Sequence, residues 1–307
     1  MIDLHQAMAD YFAVRRALGY KLIRSEKMLK LFLAFMEHKG ETRITTDTAL
    51  AWATSAAGGK DWAFARLSVV RRFAMHVRGL DPETEIPPTH LLRRQKRRAT
   101  PYLYSPEDIA RLAKAAQKLR TLHRAATLRT LIVLLSVTGM RVGEAIRLER
   151  DDFDAINGVI TVRNTKFGKS REVPIHSTTV EALKTYMARR DRPCGPSSTS
   201  TVFVSETGTR LDYNCVQQTF RRLVQEAGLR QRSAFCRPRL HDLRHTFAVN
   251  TILDGYREGG DPMGRIALLS TYLGHVDPAG TYWYLSAAPE LMTLVGARLE
   301  RHLGGVI

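Results

Sequence analysis

The chain has 307 residues, 44% of them hydrophobic, and 47 lysines and arginines against 30 acids give it a formal net charge of +17. This length suits two domains with ordinary cores, and the charge favours a polyanionic partner, although a generally basic, solubilising surface has the same composition. The sequence contains no apolar run long enough to span a membrane, and its first residues lack the features of a secretion signal, so we expect a cytoplasmic protein.

Apolar residues recur at helical spacing through the first eighty residues. The stripes that mark three helices are Leu4, Met8 and Tyr11; Met28, Phe32 and Phe35; and Leu67, Val70, Ala74 and Val77. Thr46 and Asp47, which precede an alanine-rich run, predict a further capped helix. The pattern predicts a helical N-terminal domain over residues 1–86.

The sequence then changes character. Asp81 to Pro88 contains three prolines, and five of the six positions from Arg93 to Arg98 are basic. Because proline rigidity and dense like charge oppose packing into a core, residues 87–102 are predicted to be an interdomain linker. The linker is either a solvated tether or a strap that lies along phosphates, and the charge of the whole chain favours the strap.

Residues 103–307 are predicted to be a second domain, mainly helical with a small antiparallel sheet. Ser105 begins its first helix as an N-cap, and the apolar run Leu131–Leu135 predicts a buried central helix that ends at Gly139. The predicted strands are Gly158–Val162, Arg171–Ile175 and Val202–Val204, and the later helices are Val180–Arg189, Asn214–Ala227, His241–Leu253 and Met263–Leu273. The chain as a whole is therefore predicted to be mainly α, with an α+β second domain.

The cysteines give no sign of a metal site. Cys194, Cys215 and Cys236 are odd in number and include no Cys-x-x-Cys pair. A disulfide framework and a closed zinc site are therefore not expected, and the sequence contains no cluster of acids typical of a two-metal site.

Four motifs in the second domain carry reactive side chains. Thr138 to Glu144 places Arg141 just after the buried helix, and Lys166 lies in the turn between the first two predicted strands. His241 and Arg244 are three residues apart, hence on one face of a helix. Leu273-Gly274-His275 is followed by Tyr284, nine residues after the histidine.

These residue types suit phosphodiester transfer without a metal. Two arginines can orient a phosphate, and a tyrosine oxygen can form a covalent ester with it. A lysine can protonate the departing oxygen, and a histidine can accept the tyrosine's proton or orient the phosphate. Each residue alone has a structural explanation: Arg141 as a salt-bridge group, Lys166 as a solvated lysine, Tyr284 as a packed aromatic. Their joint occurrence in this order favours the catalytic interpretation.

The order and the flanking residues resemble the tyrosine recombinase (phage integrase) family, including its Thr-Gly-x-Arg-x-x-Glu, His-x-x-Arg and Leu-Gly-His boxes. The resemblance assigns catalytic roles to Arg141, Lys166, His241, Arg244, His275 and Tyr284. It covers the chain from about residue 100, and Arg15–Met36 looks like the family's core-binding domain.

The resemblance implies a clamp around double-stranded DNA that carries a specific recombination site. Tyr284 would form a 3′-phosphotyrosine, and a 5′-hydroxyl would reverse the reaction, so no cofactor, ATP or metal is implied. The family works as tetramers through a Holliday junction, here of one recombinase or with partner recombinases. The segment Pro289–Leu303 would pack either on a neighbouring subunit or within its own chain.

Two features depart from the commoner family forms. Gly255–Pro262 looks longer than the usual short turn, and Tyr282–Ala287 looks more like recombinases that transposons encode. The latter favours integration, excision or transposition of a mobile element as the biological outcome.

Basic and amide side chains predict two DNA-contacting faces besides the linker, one on the helix Asn214–Ala227 and one at Arg71 and Arg72 of the fourth N-terminal helix. In the helix Asn214–Ala227 the apolar stripe is opposed by a polar face that either enters a groove or is simply solvated. The residues predicted to contact DNA are Arg71, Arg72, Arg93, Arg94, Lys96, Arg97, Arg98, Gln218, Arg221 and Arg222.

Two alternatives belong to other classes. A regulatory DNA-binding protein with the same fold would have no reason to keep Tyr284. A type IB topoisomerase would use the same chemistry as a monomer, and the recombinase-like N-terminal domain and linker argue against it.

Overall fold

The computed structural model describes residues 2–93, 99–163, 170–194, 199–258 and 262–274, together with positions 293, 296, 297 and 300. Within these residues the chain is mainly helical with one three-stranded antiparallel sheet, which confirms the predicted fold class. The chain divides into two compact units, Met1–Arg97 and Arg98–Ile307. In the part described, no helix is both long and apolar enough to cross a membrane.

Four helices form the first unit around one apolar core. They are α1 (Leu4–Ala17), α2 (Ile23–His38), α3 (Thr46–Ser55) and α4 (Lys60–Arg78). Asp3 caps α1, and the hydroxyl of Thr45, one residue before the predicted cap, accepts the backbone N–H of Thr48 in the first turn of α3. Phe32 of α2 and Phe73 of α4 are fully buried, so the predicted stripes face a common core.

The proline-rich segment after α4 packs on the first unit, and the prediction that it would not pack is wrong. The Glu85 carboxylate accepts the backbone N–H of Thr46 at 2.7 Å. Arg71 donates to the carbonyl oxygens of Pro87 and Pro88, at 2.6 Å each. A proline loses its N–H but keeps its acceptor, so a proline-rich stretch can still be held by side-chain donors.

The second unit is built around one buried helix, α6. Its helices are α5 (Pro106–Gln117), α6 (Leu122–Thr138), α7 (Val142–Ile146), α8 (Ser177–Cys194), α9 (Tyr213–Glu226), α10 (Asp242–Arg257) and α11 (Pro262–Leu273), with a 3₁₀ turn at Arg150–Asp152. Ser105 and Asp108 form the capping box that starts α5, as the sequence predicts. Helix α6 packs against α5, α8 and α10, and Leu131 and Ile132 in it are fully buried.

A small sheet lies beside these helices. It has the order β1 (Phe153–Asp154), β2 (Val159–Val162), β3 (Arg171–Pro174), all antiparallel, with Ile160 opposite Val173. The two predicted strands of the hairpin are confirmed, and β1 was not predicted.

Val202–Val204 is not a strand, contrary to the prediction. Its three residues are fully buried, but among the described residues only isolated bridges form there, from Thr201 to Glu149 and from Val204 to Arg210. The ring of Phe203 stacks on Tyr186 of α8 at 5.2 Å. The apolar run therefore signals burial against a helix rather than pairing in a sheet.

Helices α10 and α11 pack on each other through a separate apolar cluster that includes Val249, Ile252 and Ile266. Helix α10 continues to Arg257 and α11 begins at Pro262, so much of the stretch predicted as a long turn is helical. Four residues separate the two helices in sequence, and three of them lie outside the described part.

Candidate active site

Arg141 lies where α6 has ended and α7 begins. Gly139 adopts φ +58° as the C-cap of α6, and Arg141 is the N-cap of α7. Its Nη1 donates to Glu144 Oε1 at 2.8 Å, and its Nη2 lies 3.5 Å from the carbonyl oxygen of Gly274. The side chain is 35% exposed. Arg141 is thus both a salt-bridge residue, the structural alternative, and a cation that reaches solvent.

Glu144 is a buried carboxylate that serves two arginines. Its Oε2 accepts the backbone N–H of Arg141 at 3.0 Å and Nη2 of Arg171 at 2.7 Å, while Nη1 of Arg171 lies 3.3 Å from Oε1. Burial alone would raise the pKa of Glu144, but hydrogen bonds and charge from Arg171, followed by those from Arg141, lower it to about 2. The carboxylate is therefore ionised at neutral pH.

Arg244 is held more tightly than Arg141. It lies in the first turn of α10 and is only 2% exposed. Its Nη1 donates to the carbonyl oxygen of Gly139 at 2.8 Å, and its Nη2 donates to that of Leu273 at 2.7 Å. Arg244 therefore joins the C-terminal ends of α6 and α11, where helix carbonyls favour a positive charge.

The two arginines meet at the end of α11. Arg244 contacts Leu273, and Arg141 approaches the next residue, Gly274. Gly274 adopts φ +65°, and a Cβ at this position would lie 3.1 Å from Nη1 of Arg171. The turn after α11 therefore needs a glycine both for its backbone conformation and for the arginine beside it.

His241 precedes α10 and is exposed as a residue, although packing removes water from part of its ring. The ring lies edge-on to that of His245, with centroids 4.7 Å apart. This desolvation, together with the positive charges of Arg244, Arg141 and Arg239, lowers the pKa of His241 to about 4. In the DNA-free protein the imidazole is therefore neutral at pH 7 and can accept a proton or a hydrogen bond.

A buried carboxylate fixes the start of α10. Asp242 is fully buried, and Arg239 donates to its two oxygens through Nε at 3.1 Å and Nη2 at 2.9 Å. Burial raises the pKa of Asp242 against the opposing effect of Arg239. Tyr104 donates its hydroxyl to the Arg239 carbonyl at 3.0 Å and its N–H to Thr246 Oγ1 at 2.9 Å. These contacts hold the turn that presents His241.

Three of the predicted catalytic residues, Lys166, His275 and Tyr284, lie outside the described residues. Lys166 belongs to the connection between β2 and β3, whose ends pair Val162 with Arg171. His275 follows Gly274 directly in the sequence. The structure thus brings together Arg141, His241 and Arg244, and all six catalytic assignments stay predictions.

The predicted DNA-contacting residues are in different situations. Arg71 uses its guanidinium on the carbonyls of Pro87 and Pro88, whereas Arg72 is exposed on α4. Gln218, Arg221 and Arg222 are exposed on α9. Arg93 is exposed, and Arg94, Lys96, Arg97 and Arg98 lie outside the described part of the chain. Their contacts with DNA stay predictions.

Sequence reasoning gave no role to Glu144 or Arg171, although Glu144 ends the Thr138–Glu144 motif and Arg171 begins a predicted strand. The position of Glu144 three residues after Arg141, at the start of a helix, was a usable sign of an ion pair. The contact of Arg171 with Glu144 joins positions 27 residues apart, and no local pattern indicates it.

Two arginines at the ends of α6 and α11 suit a protein that binds a phosphate group, and comparison with known proteins identifies the family. Residues 104–290 match the model of the phage integrase family. The putative integrase/recombinase y4rB of Sinorhizobium fredii is 45% identical over 98% of this chain and 98% of its own. The putative integrase/recombinase y4rE of the same organism is 32% identical over 96% of this chain and 95% of its own. The chain belongs to the phage integrase family, the tyrosine recombinases, and is a site-specific recombinase.

Solved structures share the fold. The Tn1549 transposon integrase in complex with transposon right end DNA has a TM-score of 0.68 at 16% identity and covers 99% of this chain and 100% of its own. A lambda integrase tetramer bound to a Holliday junction has a TM-score of 0.60 at 19% identity, over 91% and 79%. XerA recombinase has a TM-score of 0.53 at 22% identity, and the match covers 96% of this chain and 98% of its own.

Proposed function

We propose that this recombinase cleaves DNA with Tyr284, forms a 3′-phosphotyrosine, and rejoins the strand to a 5′-hydroxyl. The observation that supports the proposal is the convergence of Arg141 and Arg244 on Leu273 and Gly274 at the end of α11. The sequence continues from Gly274 into His275 and, nine residues later, Tyr284. Two guanidinium groups at one helix end suit an anion with two non-bridging oxygens.

In the cleavage step, the Tyr284 oxygen forms a bond to phosphorus, and the bond from phosphorus to the 5′ oxygen breaks. Arg141 and Arg244 stabilise the negative charge that grows on the non-bridging oxygens in the transition state. The neutral imidazole of His241 accepts the tyrosine's proton or donates a hydrogen bond to a phosphate oxygen, and His275 is assigned to the same step. Lys166 donates a proton to the departing 5′ oxygen. Rejoining is the same sequence in reverse, so no cofactor or metal enters it.

We assign DNA binding to residues 1–86, the strap to residues 87–102 and the chemistry to residues 103–307. The exposed Arg72 and Arg93 and the exposed side chains Gln218, Arg221 and Arg222 of α9 are assigned to DNA contacts. Arg94, Lys96, Arg97 and Arg98 complete the strap. Arg71 supports the strap by holding the carbonyls of Pro87 and Pro88.

The complexes that proteins of similar fold form with DNA support the proposed assembly and biological role. One neighbour in fold is a transposon integrase bound to transposon end DNA, and another is a tetramer on a Holliday junction. We therefore propose a homo- or heterotetramer on double-stranded DNA with a specific site, which integrates, excises or transposes a mobile element in the cytoplasm. The segment Pro289–Leu303 is proposed to contact the neighbouring subunit.

The test uses nicked duplexes tiled across the DNA that flanks the encoding gene. A nick next to the scissile phosphate lets the cleaved end diffuse away, so the covalent complex accumulates and is seen on a denaturing gel. We expect an adduct with the wild type and none with Tyr284→Phe. Arg141→Ala and Arg244→Ala should each lower the cleavage rate by about 10²–10³-fold while DNA is still bound.

Either of two results would refute the assignment. If Tyr284→Phe keeps the adduct, Tyr284 is not the nucleophile and Tyr282 is the next residue to test. If either arginine variant cleaves at the wild-type rate, that arginine does not belong to the phosphate site. Relaxation of supercoiled DNA by a monomer without strand exchange would favour the topoisomerase alternative.

A further inference from the structure

Arg171 is a largely buried arginine next to the candidate site, and the proposed chemistry does not use it. It begins β3, directly after the connection that contains Lys166, and its side chain is 11% exposed. Its guanidinium reaches Glu144 through Nη1 and Nη2. Its Nε donates to the carbonyl oxygen of Tyr272 at 2.8 Å. One side chain thus links the lysine hairpin, the partner of Arg141 and the end of α11.

The charges in this cluster do not balance. Glu144 supplies one negative charge, and Arg141 and Arg171 each supply one positive charge within hydrogen-bond distance of it. Arg171 contacts both carboxylate oxygens, whereas the guanidinium of Arg141 contacts only Oε1. The positive charge of Arg141 is therefore only partly neutralised by Glu144.

Without Arg171, Glu144 would have one guanidinium partner left. A buried carboxylate that loses a partner has a strong tendency to take the remaining cation in a two-pronged pair. Arg141 would then turn both of its terminal nitrogens toward Glu144, and its charge would no longer be available to a phosphate. The carbonyl of Tyr272 would also lose its donor, next to the turn at Gly274.

We propose that Arg171 is a positioning residue, which holds Glu144 and the end of α11 so that Arg141 stays directed at the scissile phosphate. The inference rests on the proposed function, because it assigns Arg171 a role in the same cleavage step. Arg171 acts through Glu144 and Arg141 and does not itself contact DNA.

The test measures the rate of covalent-adduct formation at saturating DNA and, separately, the affinity for the same nicked duplex. We expect Arg171→Met to lower the rate by about 100-fold, while the affinity changes by less than about threefold. Arg171→Lys keeps the positive charge but not the planar guanidinium that contacts both carboxylate oxygens, so it should lower the rate of adduct formation by about tenfold.

A second substitution separates positioning from a loss of folding. Adding Glu144→Gln to Arg171→Met removes the carboxylate that would capture Arg141, and it leaves no unpaired charge behind. The double variant should therefore cleave about tenfold faster than Arg171→Met alone. A purely structural role predicts that the second substitution leaves the rate unchanged or lowers it further.

Arg163→Met is the matched control. Arg163 stands at the other end of the same hairpin, and its Nε pairs with the buried carboxylate of Asp152. This variant should cleave within about threefold of the wild type, because Arg163 pairs with Asp152 rather than with Glu144. The inference is overturned if Arg163→Met lowers the cleavage rate as much as Arg171→Met does, or if Arg171→Met cleaves at the wild-type rate. It is also overturned if adding Glu144→Gln to Arg171→Met does not raise the cleavage rate. An adduct absent from the wild type, or kept by Tyr284→Phe, would refute the proposed function itself.

Discussion

The two arginines of the site are held in different ways, and the difference bears on what each can do. Arg244 is almost fully buried and satisfies the carbonyls of Gly139 and Leu273, so it contributes to the fold as well as to the charge of the site. Arg141 is partly exposed and pairs with Glu144, which it shares with Arg171. A substitution at Arg244 therefore affects stability more than one at Arg141.

The depressed pKa of His241 makes the stability of the DNA-free protein depend on pH. Its pKa is about 4 in the folded protein and near 6.5 for an unperturbed histidine. Between these values the unfolded chain binds more protons, so folding stability falls as the pH is lowered from 6.5 toward 4. We expect the melting temperature of the wild type to fall more over this window than that of His241→Gln.

Comparing the wild type with His241→Gln isolates the contribution of His241 to the pH dependence, because every other titratable group is present in both proteins. Thermal unfolding measured by circular dichroism at pH 7.5, 6, 5 and 4 would show the melting temperature of the wild type falling more steeply than that of the variant (these values bracket the reference pKa). Parallel curves would mean that burial and the arginines around His241 do not disfavour its protonation.

The sequence was sufficient to predict the residues of the site that stand in local motifs. Arg141, His241 and Arg244 follow from short patterns next to helix ends. The contacts that hold them do not, because Arg244 meets Gly139 across 105 positions and Arg171 meets Glu144 across 27. Such long-range contacts depend on how the elements pack together, and local patterns in a single sequence do not predict that packing.

At the level of elements, helices were predicted best where apolar spacing and capping agreed. Helix α6 has its predicted end at Gly139, and α5 its predicted start at Ser105. Val202–Val204 and the segment Asp81–Pro88 were predicted wrongly for a common reason. In both, the local composition was used to predict the structure, but contacts with distant elements determine it. Phe203 packs on Tyr186 of α8, and Arg71 of α4 holds the carbonyl of Pro87.

The junction between α6 and α7 gives an element-scale prediction. Gly139 has φ +58°, and a Cβ at this position would lie 2.4 Å from Cδ1 of Phe247. Gly139→Ala should therefore lower the free energy of unfolding by more than the roughly 1–2 kcal/mol of a left-handed non-glycine residue. It should also slow adduct formation, because the Gly139 carbonyl accepts Nη1 of Arg244. Urea denaturation and the nicked-duplex assay measure the two effects.

Gly208→Ala separates the backbone effect from the steric one. Gly208 has φ +73°, and no heavy atom lies within 4 Å of a Cβ built on it. This variant should show only the backbone cost and cleave DNA like the wild type. If the two variants lose the same stability and the same activity, the packing of Phe247 on Gly139 does not fix the position of Arg244.

Across the whole molecule, the net charge of +17 has to be divided between cations that face DNA and cations that acids of the chain already neutralise. Lys118 pairs with Glu226 at 2.6 Å, and Lys184 pairs with Glu181 at 3.0 Å. The cluster from Arg93 to Arg98 contains five basic residues and no acid. Only the cations that face DNA release counterions when a phosphate backbone binds.

The dependence of DNA affinity on salt should therefore identify the strap. For each phosphate contact that is lost, the slope of log K against log salt should become shallower by about 0.9. We expect Arg97→Gln with Arg98→Gln to reduce the slope by about 1.8, and Lys118→Gln with Lys184→Gln to leave it nearly unchanged. Both double variants remove two positive charges, so a difference between them cannot come from net charge. Equal slopes would mean that the linker is a solvated tether, and that the affinity for DNA comes from the two units that it joins.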